Sequence, residues 1–468
     1  MDVKVILMRT SIRSGIPALL LAVLVGFAGC TQRYDIVIAL GTVYDGEGGE
    51  PFAADLGIRN GRIETVGRIK PNADIVIDAR NLYVAPGFID IHDHAVFSDS
   101  ERDGLSFEPD WNEMKAARNY LTQGVTTVVS GNCGIGSHTV KELFENMRQA
   151  GTGVNVVELV GHSTIRQAVM GMEDRAPTAD ELERMKEMVA EAMEAGAAGL
   201  STMLFYAPGC FAKTEEIIEL ARIAGEHGGI YATHVRDEGR DDMGGVLPAM
   251  REAVRIGKEA GVPVQISHIK AGAKPAWGMA PEIAAILEEG QRSGVRLFAD
   301  QYPYTAARTE LAAFVLPRWF LAGGKLREKA PDPVLVARVR AEVAHRIDTC
   351  GGPEAILIAY SKEKPEWVGK TMQQLSREMK LSPEDAALEM FKVDDSQVVV
   401  FMMKNEDVDY FMRKPYVMTC SDGRNIPFGI GQPHPRNYGA FTRKIRVYVL
   451  DRHVISMEQA ILAAVRPA

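Results

Sequence analysis

The chain has 468 residues, more than one ordinary domain needs, but an α/β barrel with insertions uses most of such a length. Hydrophobic residues make up 46% and charged residues 25%, which suits a soluble globular enzyme with a sizeable core. The net charge of -9, without any basic run, argues against nucleic acid as a partner.

At the N-terminus, Lys4, Arg9 and Arg13 precede an apolar stretch from Ile16 to Phe27 that ends in Ala28-Gly29-Cys30. A charged start, a hydrophobic middle and a small-residue cleavage site make residues 1–29 a secretory signal peptide. A cysteine directly after Ala-Gly resembles a bacterial lipoprotein signal, in which Cys30 is lipidated and becomes the first residue. The apolar run falls short of the roughly 20 residues that span a bilayer. The expectation is therefore export to the periplasmic face of a bacterial membrane, or to the periplasm, with a lipid anchor as the sole membrane contact. Cys133, Cys210, Cys350 and Cys420 are too scattered to read as a disulfide framework.

Residues 34–84 have a β pattern of short apolar runs separated by turn residues, and Asn60-Gly61 between two of them predicts a two-residue hairpin. This is the N-terminal part of a small β domain. From Ala85 the rhythm becomes strand and helix in alternation, the signature of a parallel sheet. Expected strands end near His92, Cys133, His162, Thr202, His234, His268 and Asp300. Between them lie amphipathic helices, of which Thr178–Ala195 opens with Asp180, Glu181 and Glu183. Residues 85–304 thus form the first part of a (β/α)8 TIM-like barrel. Residues 305–395 interrupt the rhythm with charge-rich helical sequence, read as an insertion and a lid over the pocket. Residues 396–468 supply the last strands, Gln397-Val-Val-Val-Phe-Met-Met and Tyr416-Val-Met-Thr-Cys-Ser-Asp422, and a final helix.

His92 and His94 are two positions apart, so on an extended strand they point the same way. A bare His-x-His is more often structural. Here His92, Cys133, His234, His268 and Asp422 all fall at C-terminal strand ends, which in a (β/α)8 barrel form the rim where active sites are built. Five metal-capable residues at five strand ends make a metal site. Imidazoles, one thiolate and one carboxylate are ligands that zinc prefers, and the thiolate disfavours magnesium or calcium. His92, His94, Cys133, His234, His268 and Asp422 are too many for one tetrahedral ion with an open position. They suit two neighbouring ions, or one tight site beside a weak one. Asp422 is placed to accept a proton from water and pass it to a leaving nitrogen, so the implied reaction is hydrolysis of an amide, cyclic amide or related bond. His162 and Cys420 read as structural, and Met402-Met403 as core.

The run Pro86-Gly-Phe-Ile-Asp-x-His92-x-His94 resembles the amidohydrolase superfamily. Gly124-Val-Thr-Thr-Val-Val-Ser-Gly-Asn-Cys-Gly134, Gly199-Leu-Ser-Thr-Met-Leu-Phe-Tyr-Ala-Pro-Gly209 and Tyr231-Ala-Thr-His-Val-Arg-Asp-Glu238 resemble its D-aminoacylase (N-acyl-D-amino-acid deacylase) family. So do Ser267-His-Ile-Lys270, Asp300-Gln-Tyr-Pro-Tyr304, Ser421-Asp-Gly423 and His434-Pro-Arg436. The resemblance spans roughly residues 34 to 460. It implies a zinc-dependent hydrolase that cleaves N-acyl-D-amino acids to a carboxylate and a free D-amino acid. Cys133, His234 and His268 would hold the tighter zinc, and His92, His94 and Asp422 a weaker ion. Tyr206, Lys270, Tyr302 and Arg236 would contact substrate, Lys270 as the cation that a free carboxylate requires. A cyclic-amide hydrolase or a D-specific dipeptidase of the same superfamily is the alternative, as is a non-catalytic relative with an incomplete β domain. That last reading arises because the family's small β domain, a sandwich, is usually completed by strands after the barrel, and no such run follows the helix Ser456–Val465. The expectation is N-terminal strands with exposed edges.

Overall fold

The computed structural model describes residues 33–97, 110–240, 243–321, 333–393 and 396–466. The signal segment and Cys30 lie outside the described residues. The chain forms two compact units, the smaller built from 33–42 and 53–82 and the larger from 43–52 and 83 onward.

The smaller unit is one sheet of β1 (Tyr34–Val43), β2 (Phe52–Arg59), β3 (Arg62–Gly67) and β4 (Ala73–Asp78), in the order β3-β2-β1-β4. The β2–β3 hairpin turns at Asn60 and Gly61, both at positive φ (50° and 70°), as the expected two-residue turn requires. Tyr34, Val37 and Ala39 are buried in one small apolar cluster, whereas Ile63, Val66, Ile75, Val76 and Ile77 are exposed. Among the described residues this is one layer of the expected sandwich.

In the larger unit the two-residue β5 (Tyr83–Val84) precedes the barrel. Its strands are β6 (Phe88–Asp90), β7 (Val125–Ser130), β8 (Asn155–Glu158) continued as β9 (Val160–Gly161), β10 (Gly199–Met203), β11 (Ile230–His234), β12 (Val264–Ile266), β13 (Leu297–Gln301) and β17 (Val417–Thr419). All neighbouring pairs run parallel. Leu159 breaks the third strand, so β8 pairs with β7 and β9 with β10. The ring closes through a parallel bridge between Asp93 and Gly423: His94 N donates to Gly423 O at 2.8 Å and Asp422 N donates to His92 O at 2.9 Å. Closure thereby sets two candidate ligands side by side.

The helices form as the sequence predicts. Ala179–Glu194 opens on a capping box in which Thr178 and Glu181 satisfy each other's backbone N–H groups, and it buries Met185, Met188, Val189 and Ala192. Their partners are barrel-facing residues of the neighbouring helices and strands, including Leu200, Ile217, Leu220 and Tyr231, which form the main core.

One strand is placed differently from expectation. Gln397–Phe401 (β16) is not a barrel strand but the centre of an antiparallel sheet with β14 (Ala306–Glu310) and β15 (Ile356–Tyr360). The inserted segment therefore runs to about Phe401 rather than Asp395, and the seventh barrel strand is β13. An apolar run such as Val-Val-Val-Phe shows that a strand is buried but not in which sheet. The insertion has its own core around Phe314, Val343, Ile358, Met390 and Val400, which also takes in Met402.

Candidate metal centre

The rim residues sit where the strands run out. His92 and His94 follow β6, Cys133 follows β7, His234 ends β11, His268 follows β12 and Asp422 follows β17. Three of them adopt left-handed backbone: Cys133 at φ 54°, His268 at 36° and Asp422 at 48°. For non-glycine residues this costs roughly 1–3 kcal/mol each and persists where the surroundings hold it. At Cys133 the neighbouring Gly134 allows the turn to tuck in, because a Cβ there would lie 2.9 Å from Met203 N. The rim thus spends backbone strain to turn its side chains off the strand direction.

The six candidates converge. The Cys133 Sγ lies 3.4 Å from His92 Nε2, 3.7 Å from His234 Nδ1 and 3.7 Å from His268 Nε2. Asp422 Oδ1 lies 3.1 Å from His94 Nε2 and 3.7 Å from His92 Nε2. Bonds of about 2.3 Å to sulfur and 2.0 Å to nitrogen at a tetrahedral centre put ligand atoms about 3.5 Å apart. The observed sulfur–nitrogen separations match that edge, so the donor set fits a metal ion of the zinc class. Two overlapping triads, His92/Cys133/His268 and His92/His94/Asp422, share His92.

The electrostatics prepare the donors. Burial alone would raise the Cys133 thiol, but His92, His234 and His268 outweigh it and hold its pKa well below the usual range, so the sulfur is a thiolate. Burial likewise opposes ionisation of Asp422, and Arg436, His268 and His94 overcome it, keeping the carboxyl ionised. Desolvation would depress His92, yet Asp300 and Cys133 raise its pKa well above the ordinary value.

Outer groups fix the rings. His92 Nδ1 lies 3.2 Å from Asp300 Oδ1, and Asp300 also accepts from His268 N at 2.7 Å and from Gln265 Nε2 at 2.6 Å. Glu238 does the same for His268, with Oε1 3.1 Å from Nδ1, and it stands 3.5 Å from His234 Nε2 as a charge contact without a hydrogen bond. A carboxylate against the distal nitrogen fixes the tautomer and strengthens the imidazole as a ligand. Against burial, Lys270, His234 and His268 hold Glu238 well below the usual carboxylate range.

The substrate candidates divide. Lys270 Nζ is 2.5 Å from Glu238 Oε1 and 2.8 Å from His268 Nδ1, at the edge of the metal cluster. Tyr302 is buried with a hydroxyl that has no hydrogen-bond partner among the described residues; Lys270 lies 5.8 Å and Arg436 5.0 Å from its ring centre. The Tyr206 ring stands 5.6 Å from that of His234, and its hydroxyl meets Thr309 Oγ1 at 2.8 Å. Arg236 does not join them. Its guanidinium is taken up by Glu252 at 2.8 Å and by the carbonyls of Cys210 and Ala212, so it braces the wall instead of facing substrate.

Glu238, Asp300 and Arg436 are the functional residues that strand-end reasoning passes over. Arg436 donates to Asp422 Oδ2 at 2.6 Å. Glu238 follows His234 by four residues and Asp300 lies on β13, and both positions were available as signals. His162 pairs with Glu216 at 2.9 Å, and Cys420 is buried beside His92 and Asp300.

No protein-family model matches the chain. A D-aminoacylase of Alcaligenes xylosoxydans xylosoxydans is 33% identical over 459 residues, covering 92% of this chain and 82% of that relative. An N-acyl-D-aspartate deacylase of the same organism is 32% identical, covering 91% of this chain and 79% of the relative. Among solved structures, N-acyl-D-glutamate deacylase from Bordetella bronchiseptica, complexed with zinc and a phosphonate mimic of the tetrahedral intermediate, superposes with a TM-score of 0.76. It is 30% identical, with 92% of this chain and 84% of that chain covered.

Proposed function

The chain belongs to the D-aminoacylase family of metal-dependent amidohydrolases, and from that membership we propose that it hydrolyses N-acyl-D-amino acids to a carboxylate and a free D-amino acid. The observation that carries this reading is the thiolate of Cys133 facing three imidazoles with Asp422 beside them. We take zinc as the metal, with Cys133, His234 and His268 as the tighter ligand set and His92, His94 and Asp422 completing a weaker one. Zinc bound there supplies a Lewis acid that polarises the amide carbonyl and makes water acidic near neutral pH.

The protein's own groups do the rest. Asp422, ionised and anchored through Oδ2 to Arg436, presents Oδ1 to the cluster as the acceptor of the water proton. The same carboxyl then returns that proton to the leaving nitrogen. Lys270 and Tyr302 bind the substrate carboxylate; on binding, Lys270 exchanges part of its contact with Glu238 for the ligand. Tyr206 walls the side nearest His234. Burial of the whole cluster excludes bulk water and strengthens each of these interactions.

A substrate panel tests the reading: N-acetyl-D- and N-acetyl-L-amino acids, hydantoins and D-dipeptides offered to the zinc-loaded protein. Turnover of the N-acyl-D compounds above all others is expected. Preference for the hydantoins or dipeptides, or no turnover at all, would overturn it. For location, we propose export and lipidation at Cys30, which the charged start, the Ile16–Phe27 run and Ala28-Gly29-Cys30 support. Labelling by a fatty-acid analogue that is lost in Cys30→Ser checks it.

A further inference from the structure

His434 stands at no strand end, yet it is buried with one ring nitrogen on each of two segments. Its Nε2 donates to Ala306 O at 2.9 Å, and its Nδ1 accepts from Arg436 N at 3.0 Å, which fixes the tautomer. Burial and the charge of Arg436 push its pKa down to about 3, so the ring stays neutral, as one donor and one acceptor require. The Tyr304 ring stands edge-on at 5.0 Å and that of Tyr302 at 6.3 Å, and together they hold the plane of the imidazole.

Each bond leads to a different part of the molecule. Ala306 opens β14, an edge strand of the insertion's sheet, whose unpaired side leaves backbone groups for contacts outside that sheet. Farther along β14, Thr309 Oγ1 meets the Tyr206 hydroxyl at 2.8 Å, so the same strand also touches the wall of the metal site. Arg436 is the first residue of the helix Arg436–Arg443, where a backbone N–H has no partner within the helix. His434 supplies one. Arg436 in turn holds the proton carrier: Nη1 donates to Asp422 Oδ2 at 2.6 Å, while Oδ1 lies 3.1 Å from His94 Nε2. Among the described residues this is the guanidinium's one hydrogen bond, and its Nε has no partner. A single bond fixes Asp422 only as well as Arg436 is itself fixed.

We propose that His434 is a positioning residue, which ties the first strand of the insertion to Arg436 and thereby sets the Asp422 carboxylate against the metal cluster. Proton transfer by Asp422 then depends on the insertion being seated as well as on the barrel rim. This rests on the deacylase reading above and adds to it a residue outside the ligand and substrate sets.

A double-mutant cycle on the metal-loaded full chain tests it, with the N-acetyl-D-amino acid that is turned over fastest as substrate. His434→Ala should lower kcat by about 10- to 100-fold, the scale of a misplaced catalytic group, and change KM less. In the Asp422→Asn background the same substitution should cost less than about threefold, because the carboxylate it positions is gone. His434→Asn keeps an acceptor for Arg436 N and His434→Gln a donor for Ala306 O, so each should fall less far. These two take the place of the alanine variant in the cycle should it fail to fold. A wild-type kcat in His434→Ala, or an equal fall in both backgrounds, would overturn the proposal. Hydrogen exchange of the metal-free chain gives a readout independent of turnover. His434→Ala should expose the amides of β14 and of Arg436–Arg443 together and leave those of β11 and β12 protected; unchanged protection at both segments, or loss throughout the barrel, counts against the tie. If the wild type turns over no N-acyl-D-amino acid, the deacylase reading fails, and the exchange still decides whether His434 joins the two segments.

Discussion

His162 and His234 both stand where barrel strands run out, and both are buried beside a glutamate, yet their surroundings differ in kind. His162 Nε2 meets Glu216 Oε1 at 2.9 Å, and Arg166 grips the same carboxylate at 2.7 and 2.8 Å while its other nitrogen donates to Arg175 O at 2.6 Å. One guanidinium answers one carboxylate, and the imidazole shares that carboxylate. His234 instead turns Nε2 to Glu238 and aims Nδ1 at Cys133, which His92 and His268 also face. There three imidazole nitrogens, all metal-capable, crowd within 3.4–3.7 Å of one sulfur instead of being matched one to one. A strand-end histidine is therefore not enough to mark a metal site. What marks it is a set of donors whose outer faces are held and whose inner faces are left to a cation.

Substitutions can break this contrast, and the largest effect is expected at the sulfur. Cys133→Ala should weaken metal binding by more than the roughly 10–100-fold that loss of an outer-shell partner costs, and should remove turnover with it. Metal analysis after dialysis, alongside the rate, checks both. Asp422→Asn should leave the tighter metal in place and lower kcat by about 10²–10⁴, the span of proton-transfer catalysis; an unchanged rate would remove Asp422 from the proton path. Glu216→Gln should do the opposite. It leaves the buried Arg166 without its carboxylate, at a cost of roughly 3–5 kcal/mol in stability by denaturant unfolding. Metal content per folded molecule should stay as in the wild type.

A smaller effect separates the two glutamates. Glu238→Gln should weaken metal binding by about 10–100-fold and should be read as affinity, since Glu238 acts through the imidazoles. Smallest is a pH effect at the His162 cluster. Burial would raise the Glu216 carboxyl, but His162 and Arg166 lower its pKa below the ordinary value. A depressed carboxyl stabilises fully above its unfolded value of about 4.3 and loses that contribution as pH falls through the folded value. The stability gap between wild type and Glu216→Gln should hold from pH 7 to 5 and narrow below about 4.3. A gap that widens on acidification would contradict the pairing.

That His92, His94, Cys133, His234, His268 and Asp422 would meet was legible because each lies at or just past a strand end, as a residue type that apolar packing does not require. The two-residue turn at Asn60-Gly61 and the helix start at Thr178 were legible for a similar reason, being local chemistry. Long-range choices were not. Val-Val-Val-Phe at 398–401 states burial without naming its sheet. Arg236 in a family motif looks like a substrate cation until Glu252, sixteen residues on, is seen to occupy it. Glu238, Asp300 and Arg436 look like solvated charges until closure of the barrel brings them behind His268, His92 and Asp422. The positive φ at Cys133, His268 and Asp422 has no sequence signal, because none of these residues is a glycine.

The central claim is that one metal ion rests on the Cys133 thiolate among histidines of three strands. Cobalt substitution tests it most directly, since a thiolate bound to cobalt gives a sulfur-to-metal charge-transfer absorption. Loading the metal-free protein should raise that band to saturation, and the band should be absent in Cys133→Ala. Loading without a band, or a band that survives in Cys133→Ala, would contradict the account.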